Sequence, residues 1–276
     1  MSGGTGWRAG AERSVRYLFR LETHVYAFAV AANALLSFFP FMVLVLSLAR
    51  HLLRFPEAAD VLYVGLADVL PEDPGLVDFV MRNLRAAVES RGRAETASVL
   101  MLLFSSNGVF LPLEVAFNRL WGFSGDRSYW HNQLLSLGLA FACGSLALGA
   151  AIAAAGGAGW LHGWLDPILV LPRTVTLVVV RLVSLALVTA IVLLVYVVLP
   201  NGRVPRGLAV RGAVLVGLAL ELGRAAYLSL WPLLGFRSVY GPFFVSVTLL
   251  LGGYLAANIV LAGAEIMARR SRAAAP

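Results

Sequence analysis

The chain has 276 residues, 59% of them hydrophobic and only 13% charged, where soluble domains carry nearly half and about a quarter. That balance, with apolar runs long enough to cross a bilayer spread along the whole length, excludes a soluble globular protein and points to one polytopic membrane domain. The net charge of +7 rests on arginine alone, with no lysine; positive-inside topology accounts for it without nucleic acid, and the single Cys143 excludes an intrachain disulfide.

In chain order, the Gly-rich residues 1–10 are expected to form a disordered tail. From Glu12 to Thr23 the pattern predicts a helix with Arg13, Arg16 and Arg20 on one side and Val15, Leu18, Phe19 and Leu21 on the other. Such a helix lies on the membrane surface, or is a solvated helix end that sets topology. The first apolar run, Val25–Ala49, is too long for the core of a signal peptide and reads as a retained first span. Within it Asn33 and Ser37 share a face, and Pro40 frees a carbonyl one turn earlier, which predicts a kink. That face lines a cavity or bonds a neighbouring helix.

Residues 50–96 are the one large extramembrane segment. Leu62, Leu66, Val69 and Leu70 mark a short helix. Asp73 and Pro74 start a second, whose apolar stripe is Val77, Val80, Met81, Leu84 and Val88. The expectation is a helical hairpin over the bundle. No His lies among its acids, so these suit helix ends and solubility better than a metal.

The second span, Thr96–Phe117, holds Ser105-Ser106-Asn107-Gly108 at mid-depth, with Pro112 and Glu114 beyond. A broken or unwound helix beside a cavity is expected there, ending at an interfacial Trp121. The third span, Leu134–Ala155, carries Gly138, Gly144 and Gly149 for close packing, with a loop predicted from Gly156 to Pro172. The fourth, Val175–Leu199, contains Arg181, expected to snorkel. The fifth, Gly207–Trp231, has Glu221 near its middle and Arg224 three residues on, on the same face and able to pair. Turned toward lipid, that carboxylate would cost several kcal/mol, so the face looks into protein or water. The sixth, Phe243–Met267, follows Tyr240-Gly241-Pro242 and carries Asn258 and Glu265. Arginines crowd the side shared by both termini, while the opposite short loops hold only Arg173 and Arg237. Both termini are therefore expected in the cytoplasm.

The expected fold is all-α: six transmembrane helices, one or two kinked or broken, in a single domain over residues 11–268. An extracytoplasmic helical insertion at 50–96, an N-terminal interfacial helix and a basic tail from 269 complete it.

Leu35-Leu36-Ser37-Phe38-Phe39-Pro40, Phe117-Asn118-Arg119-Leu120-Trp121, Leu199-Pro200-Asn201, Gly212-Ala213, Tyr240-Gly241, Tyr254 and Gly263-Ala264-Glu265 occur in an order and spacing that resembles the YihY/BrkB family, some members of which were long labelled ribonuclease BN. The likeness runs from Arg16 to Glu265. It implies a six-helix bacterial inner-membrane protein, connected with envelope integrity and the handling of lipid or lipopolysaccharide.

Three functions follow from the residues. The first is a transporter or lipid passage, whose polar intramembrane cavity centres on Glu221 and Arg224, with Asn33, Ser37, Pro40, Ser106, Asn107, Tyr240 and Asn258 around it. The same ion pair could instead only fix helix packing. The second is a structural or assembly subunit docking through the 50–96 hairpin, or a homo-oligomer built on Gly/Ala faces. The third, an enzyme, has the least support: no Walker loop, HExxH, zinc-type Cys pair or Gly-x-Ser-x-Gly is present, and the four His lie far apart. No catalytic residue, metal or cofactor is expected; membrane lipids are the expected partners.

Overall fold

The computed structural model describes residues 16–51, 62–63, 66–67, 70, 75–89, 93–125, 127–165 and 173–274. Within some helical stretches, among them 103–104, 106–107 and 151–165, the description covers the backbone only. The described chain is helical, without strands. In order it forms α1 (Leu21–His51), α2 (Leu76–Glu89), α3 (Arg93–Trp121), α4 (Tyr129–Leu165), α5 (Arg173–Val198), α6 (Arg206–Leu234), a short α7 (Phe236–Tyr240), a 3₁₀ turn (Gly241–Phe243) and α8 (Phe244–Ala274).

Among the described residues five helices are long and apolar enough to cross a membrane: α1, α4, α5, α6 and α8. The remaining long helix, α3, has 29 residues but carries Glu95, Ser105, Ser106, Asn107, Glu114 and Arg119, which lower its apolarity. In hydrocarbon every backbone N–H and C=O must bond within the protein, and a helix satisfies this internally. The helix ends are set by local chemistry. Pro200 closes α5 because it cannot extend a helix. Gly235, at φ 56°, takes the left-handed conformation that ends α6.

The six long helices pack in a closed circuit: α1 on α3, α3 on α4, α4 on α5, α5 on α6, α6 on α8, and α8 back on α1. Small residues permit the close approaches. A Cβ added at Gly108 of α3 would collide with the Asn33 amide of α1, and one at Gly263 of α8 with Val216 and Tyr196. Two apolar clusters fill the bundle. One, at the near end where α1 begins, gathers Ala27, Phe117, Tyr196, Leu199, Ala213 and Leu261. The other, at the far end, joins Leu46, Leu102 and Trp231 to Leu62, Leu66, Leu70, Val80, Met81 and Leu84.

Several expectations change. The Ser105–Gly108 run does not break its helix: α3 is continuous from Arg93 to Trp121. The Ser105 hydroxyl back-bonds to Met101 O at 2.8 Å, and Gly108 makes room for Asn33, so the polar, small residues serve helix contact. The helix predicted over Glu12–Thr23 is interrupted: residues 16–18 are helical, the chain turns at Phe19–Arg20, and Thr23 lies in α1. There the Thr23 hydroxyl donates to Tyr17 O at 2.9 Å, tying the turn down. The loop predicted from Gly156 is instead helical as far as Leu165, the end of α4. α8 runs on through Arg269 to Ala274. Tail residues 1–10, Glu12, Arg13, Val69, Asp73, Pro74 and the Val88 side chain lie outside the described residues, as does most of the connection that would complete a hairpin.

Gly263 and Gly138 offer a paired test. Gly263→Ala meets stiff Val216 and the buried Tyr196, so it should lower stability by about 1–3 kcal/mol. Nothing stands within 4 Å of a Cβ at Gly138, so Gly138→Ala should be neutral or raise stability by up to about 1 kcal/mol. Thermal unfolding in detergent reads both.

Candidate functional site

The residues singled out from sequence, as far as their side chains are described, fall at separate places in the bundle. Two of them, Asn33 and Ser37, lie at the α1–α3 contact. Asn33 Nδ2 donates to Ala29 O at 2.9 Å. The Ser37 and Ser105 hydroxyls stand 2.7 Å apart, and each also lies 2.8 Å from the carbonyl four residues earlier in its own helix. One proton per hydroxyl cannot serve all three contacts, so one back-bond yields to the bond between helices. Pro40 is half-buried one turn further along α1. A cleft of about 390 Å³ lined by Ser37, Phe38, Phe41, Cys143 and Ile191 opens beside this contact. The Ser106 and Asn107 side chains lie outside the described residues.

Glu221 and Arg224 lie on α6, Glu221 roughly 22 Å from its start and 20 Å from its end by helical rise, and Arg224 about 4.5 Å further along. Arg224 Nε and Nη2 donate to Glu221 Oε2 at 3.3 and 3.2 Å. Each side chain is about a quarter exposed, 26% for Glu221 and 25% for Arg224. Arg224 lines a cleft of about 280 Å³ with Tyr227, Thr248, Gly252, Gly253 and Leu70. A second cleft between α6 and α8, of about 720 Å³, contains Asn258, whose amide donates to Tyr254 O at 2.8 Å. The two clefts share Gly223, Tyr227, Leu255 and Ile259. Tyr240 stands apart: it is exposed, ends α7, and packs on Phe236 with ring centroids 5.7 Å apart.

The densest polar assembly lies at the near end, and sequence reasoning gave it no role. Arg127, in the loop between α3 and α4, donates to the carbonyls of Val198, Leu199 and Pro200 at 3.2, 3.0 and 2.9 Å. These are carbonyls that the end of α5 leaves without helical partners. The same guanidinium stands 3.9 Å from the carboxylate of Glu114, which is only 7% exposed. Asn201 N donates to Asn118 Oδ1 at 2.8 Å, and the Asn201 amide donates to Gly125 O. The buried Tyr196 hydroxyl donates to Val260 O at 2.7 Å, tying α5 to α8. Arg119 pairs with Glu22 at 2.8 Å, but both are exposed, so this pair adds little.

Beside it, His24 Nδ1 meets the Tyr254 hydroxyl at 2.5 Å across α1 and α8. Burial raises the Tyr17 phenol above its ordinary value, and the nearby Glu265 carboxylate pushes it the same way. Among the described residues no three His, Cys, Asp or Glu side chains gather as metal ligands.

A family model described as Virulence factor BrkB matches residues 20–276. The chain belongs to the BrkB family. No curated relative and no solved structure matches it. In this BrkB chain the near-end assembly is where two of the separate stretches that carried the resemblance meet. Phe117 and Asn118 come from one, Leu199–Asn201 from a second, and Phe117 stacks edge-on against Tyr196 at 5.5 Å. One sequence signal pointed there: Pro200 ends a span and leaves carbonyls in need of donors, and a guanidinium supplies several at once.

Arg127→Gln removes those donors and the cation that stands beside the buried Glu114 carboxylate. Breaking such a pair costs about 3–5 kcal/mol. The variant should therefore melt well below the parent, and adding Glu114→Gln should recover part of the loss. Thermal unfolding of the two singles and the double measures the coupling.

Proposed function

We propose that this multi-pass membrane protein passes an anionic amphiphile along the seam between α6 and α8, in the bacterial inner membrane, in support of the envelope. In this reading α3 is the sixth span and both termini are cytoplasmic. The length of α3 and its packing between α1 and α4 favour the sixth span. The observation that carries the function is the Glu221–Arg224 pair near the middle of α6, about a quarter exposed, with Arg224 on a cleft that shares residues with a larger one. Ionised groups at this depth are costly and persist where they meet a polar guest or each other. A guanidinium suits a phosphate or carboxylate passing the apolar core. The cleft walls are otherwise apolar, which suits the tails of the same molecule. No enzymatic step, metal, cofactor or nucleic acid enters this reading.

The assembly reading loses its motive. Val77, Val80, Met81 and Leu84 of α2, offered as a docking face, are buried in the same cluster as Leu46 and Leu102. That stripe is occupied within the chain.

The test is flux of a fluorescent anionic phospholipid in reconstituted vesicles. Charge-assisted hydrogen bonds are worth about 1.5–3 kcal/mol, so Arg224→Ala should slow flux by about tenfold or more, with Glu221→Gln altering it as well. Equal flux from both variants and the unmodified protein would leave the pair a packing device and overturn the proposal.

A further inference from the structure

The larger cleft has a polarity that the passage reading does not use. On α6 it is lined at four-residue intervals by Arg211, Leu215, Ala219 and Gly223, and on α8 by Ile266 and Arg270 at its near end. Residues four apart share one helix face, so each stripe forms one wall of a continuous groove. Leu215 is 54% exposed, so the groove opens on the outside of the bundle, where acyl chains lie. Its two guanidinium groups are both exposed and both sit at the near end. None of its lining residues is acidic, and among the described residues neither Arg211 nor Arg270 has an acidic partner within ion-pair reach.

From these features we infer that the groove is a binding site for one anionic glycerophospholipid of the leaflet at the near end. Its phosphate is held between Arg211 and Arg270, and an acyl chain lies along the α6–α8 seam. Two guanidinium donors on neighbouring helices match a phosphodiester, which accepts several charge-assisted hydrogen bonds. Length agrees as well. From Arg211 to Gly223 is twelve residues, roughly 18 Å of helix, close to half of the ~30 Å hydrocarbon core. A chain anchored at the arginines thus ends near Gly223, where this groove meets the cleft of Arg224. The groove's volume of about 720 Å³ lies within the usual range of ligand pockets, about 300–1,000 Å³. Binding here goes beyond passage, because the lipid can reside in the groove whether or not it crosses at Arg224.

The experiment places benzoylphenylalanine at position 215 of the full chain, reconstituted in vesicles of phosphatidylcholine with or without phosphatidylglycerol. After illumination the adduct is identified by mass. A phosphatidylglycerol adduct is expected, unaffected by excess inorganic phosphate. It should fall on the order of tenfold in Arg211→Gln/Arg270→Gln, and should be unchanged in Arg203→Gln, which removes a cation at the same end that does not line the groove. Ala219→Trp fills the groove without altering charge and should also suppress the adduct, so the outcome does not hang on one variant folding well. Equal phosphatidylcholine labelling, a cross-link chiefly to a second copy of this chain, or competition by inorganic phosphate alone would overturn the site. Glu221→Gln and Arg224→Ala should keep the adduct, so failure of the passage reading and failure of this one give different results.

Discussion

A carbonyl four residues back is the recurrent partner of polar side chains inside this bundle. Asn33, Ser105, Thr248 and Asn258 each donate to one. With no water in hydrocarbon, a hydroxyl or amide must bond to something, and its own helix is always within reach. Polar residues therefore sit at membrane depth without disturbing the helices that carry them. The consequence is a bundle whose interior polarity is mostly self-contained, so the few groups that reach between helices define its architecture. Ser37 to Ser105 and Tyr196 to Val260 join different helices. Glu221 and Arg224 satisfy each other along one helix.

That economy explains what could and could not be read from the chain. Five apolar helices were visible as runs of the right length, because burying them in lipid requires nothing of their neighbours. The Glu221–Arg224 contact was visible because three residues along a helix bring two side chains together whatever else happens. The Ser105–Gly108 run was misread. A polar, glycine-bearing stretch looks the same in sequence whether its backbone unwinds or a neighbouring side chain needs the space. Only the position of Asn33 across from Gly108 distinguishes them. The Arg127 contacts were hidden for a different reason: Pro200 marks where carbonyls lack donors, but nothing in residue type names as their donor an arginine some seventy positions upstream.

The candidate site was legible in its parts and not in its arrangement. Arg224 and Asn258 both flank the α6–α8 seam, on clefts that share four residues. Asn33 and Ser37 serve the α1–α3 contact, and Tyr240 belongs to the connection after α6. The groove on the outer side of the seam needed the structure, since its two walls are stripes from helices far apart in the chain. Glycine leaves room at the seam: a Cβ at Gly223 would stand 3.0 Å from Ile259 Cδ1, so the Ile259 side chain of α8 lies directly against the α6 backbone there.

The closed circuit of helices has a bearing on how the protein is made. The contact that closes it joins α8 to α1, with Gly253 packed directly on Ala31, so α1 must wait in the membrane until α8 has been made. Until then α1 has α3 beside it and an unfilled flank on its other side. Biogenesis thus depends on a long-range encounter within the bilayer plane, the slowest kind to form by topology.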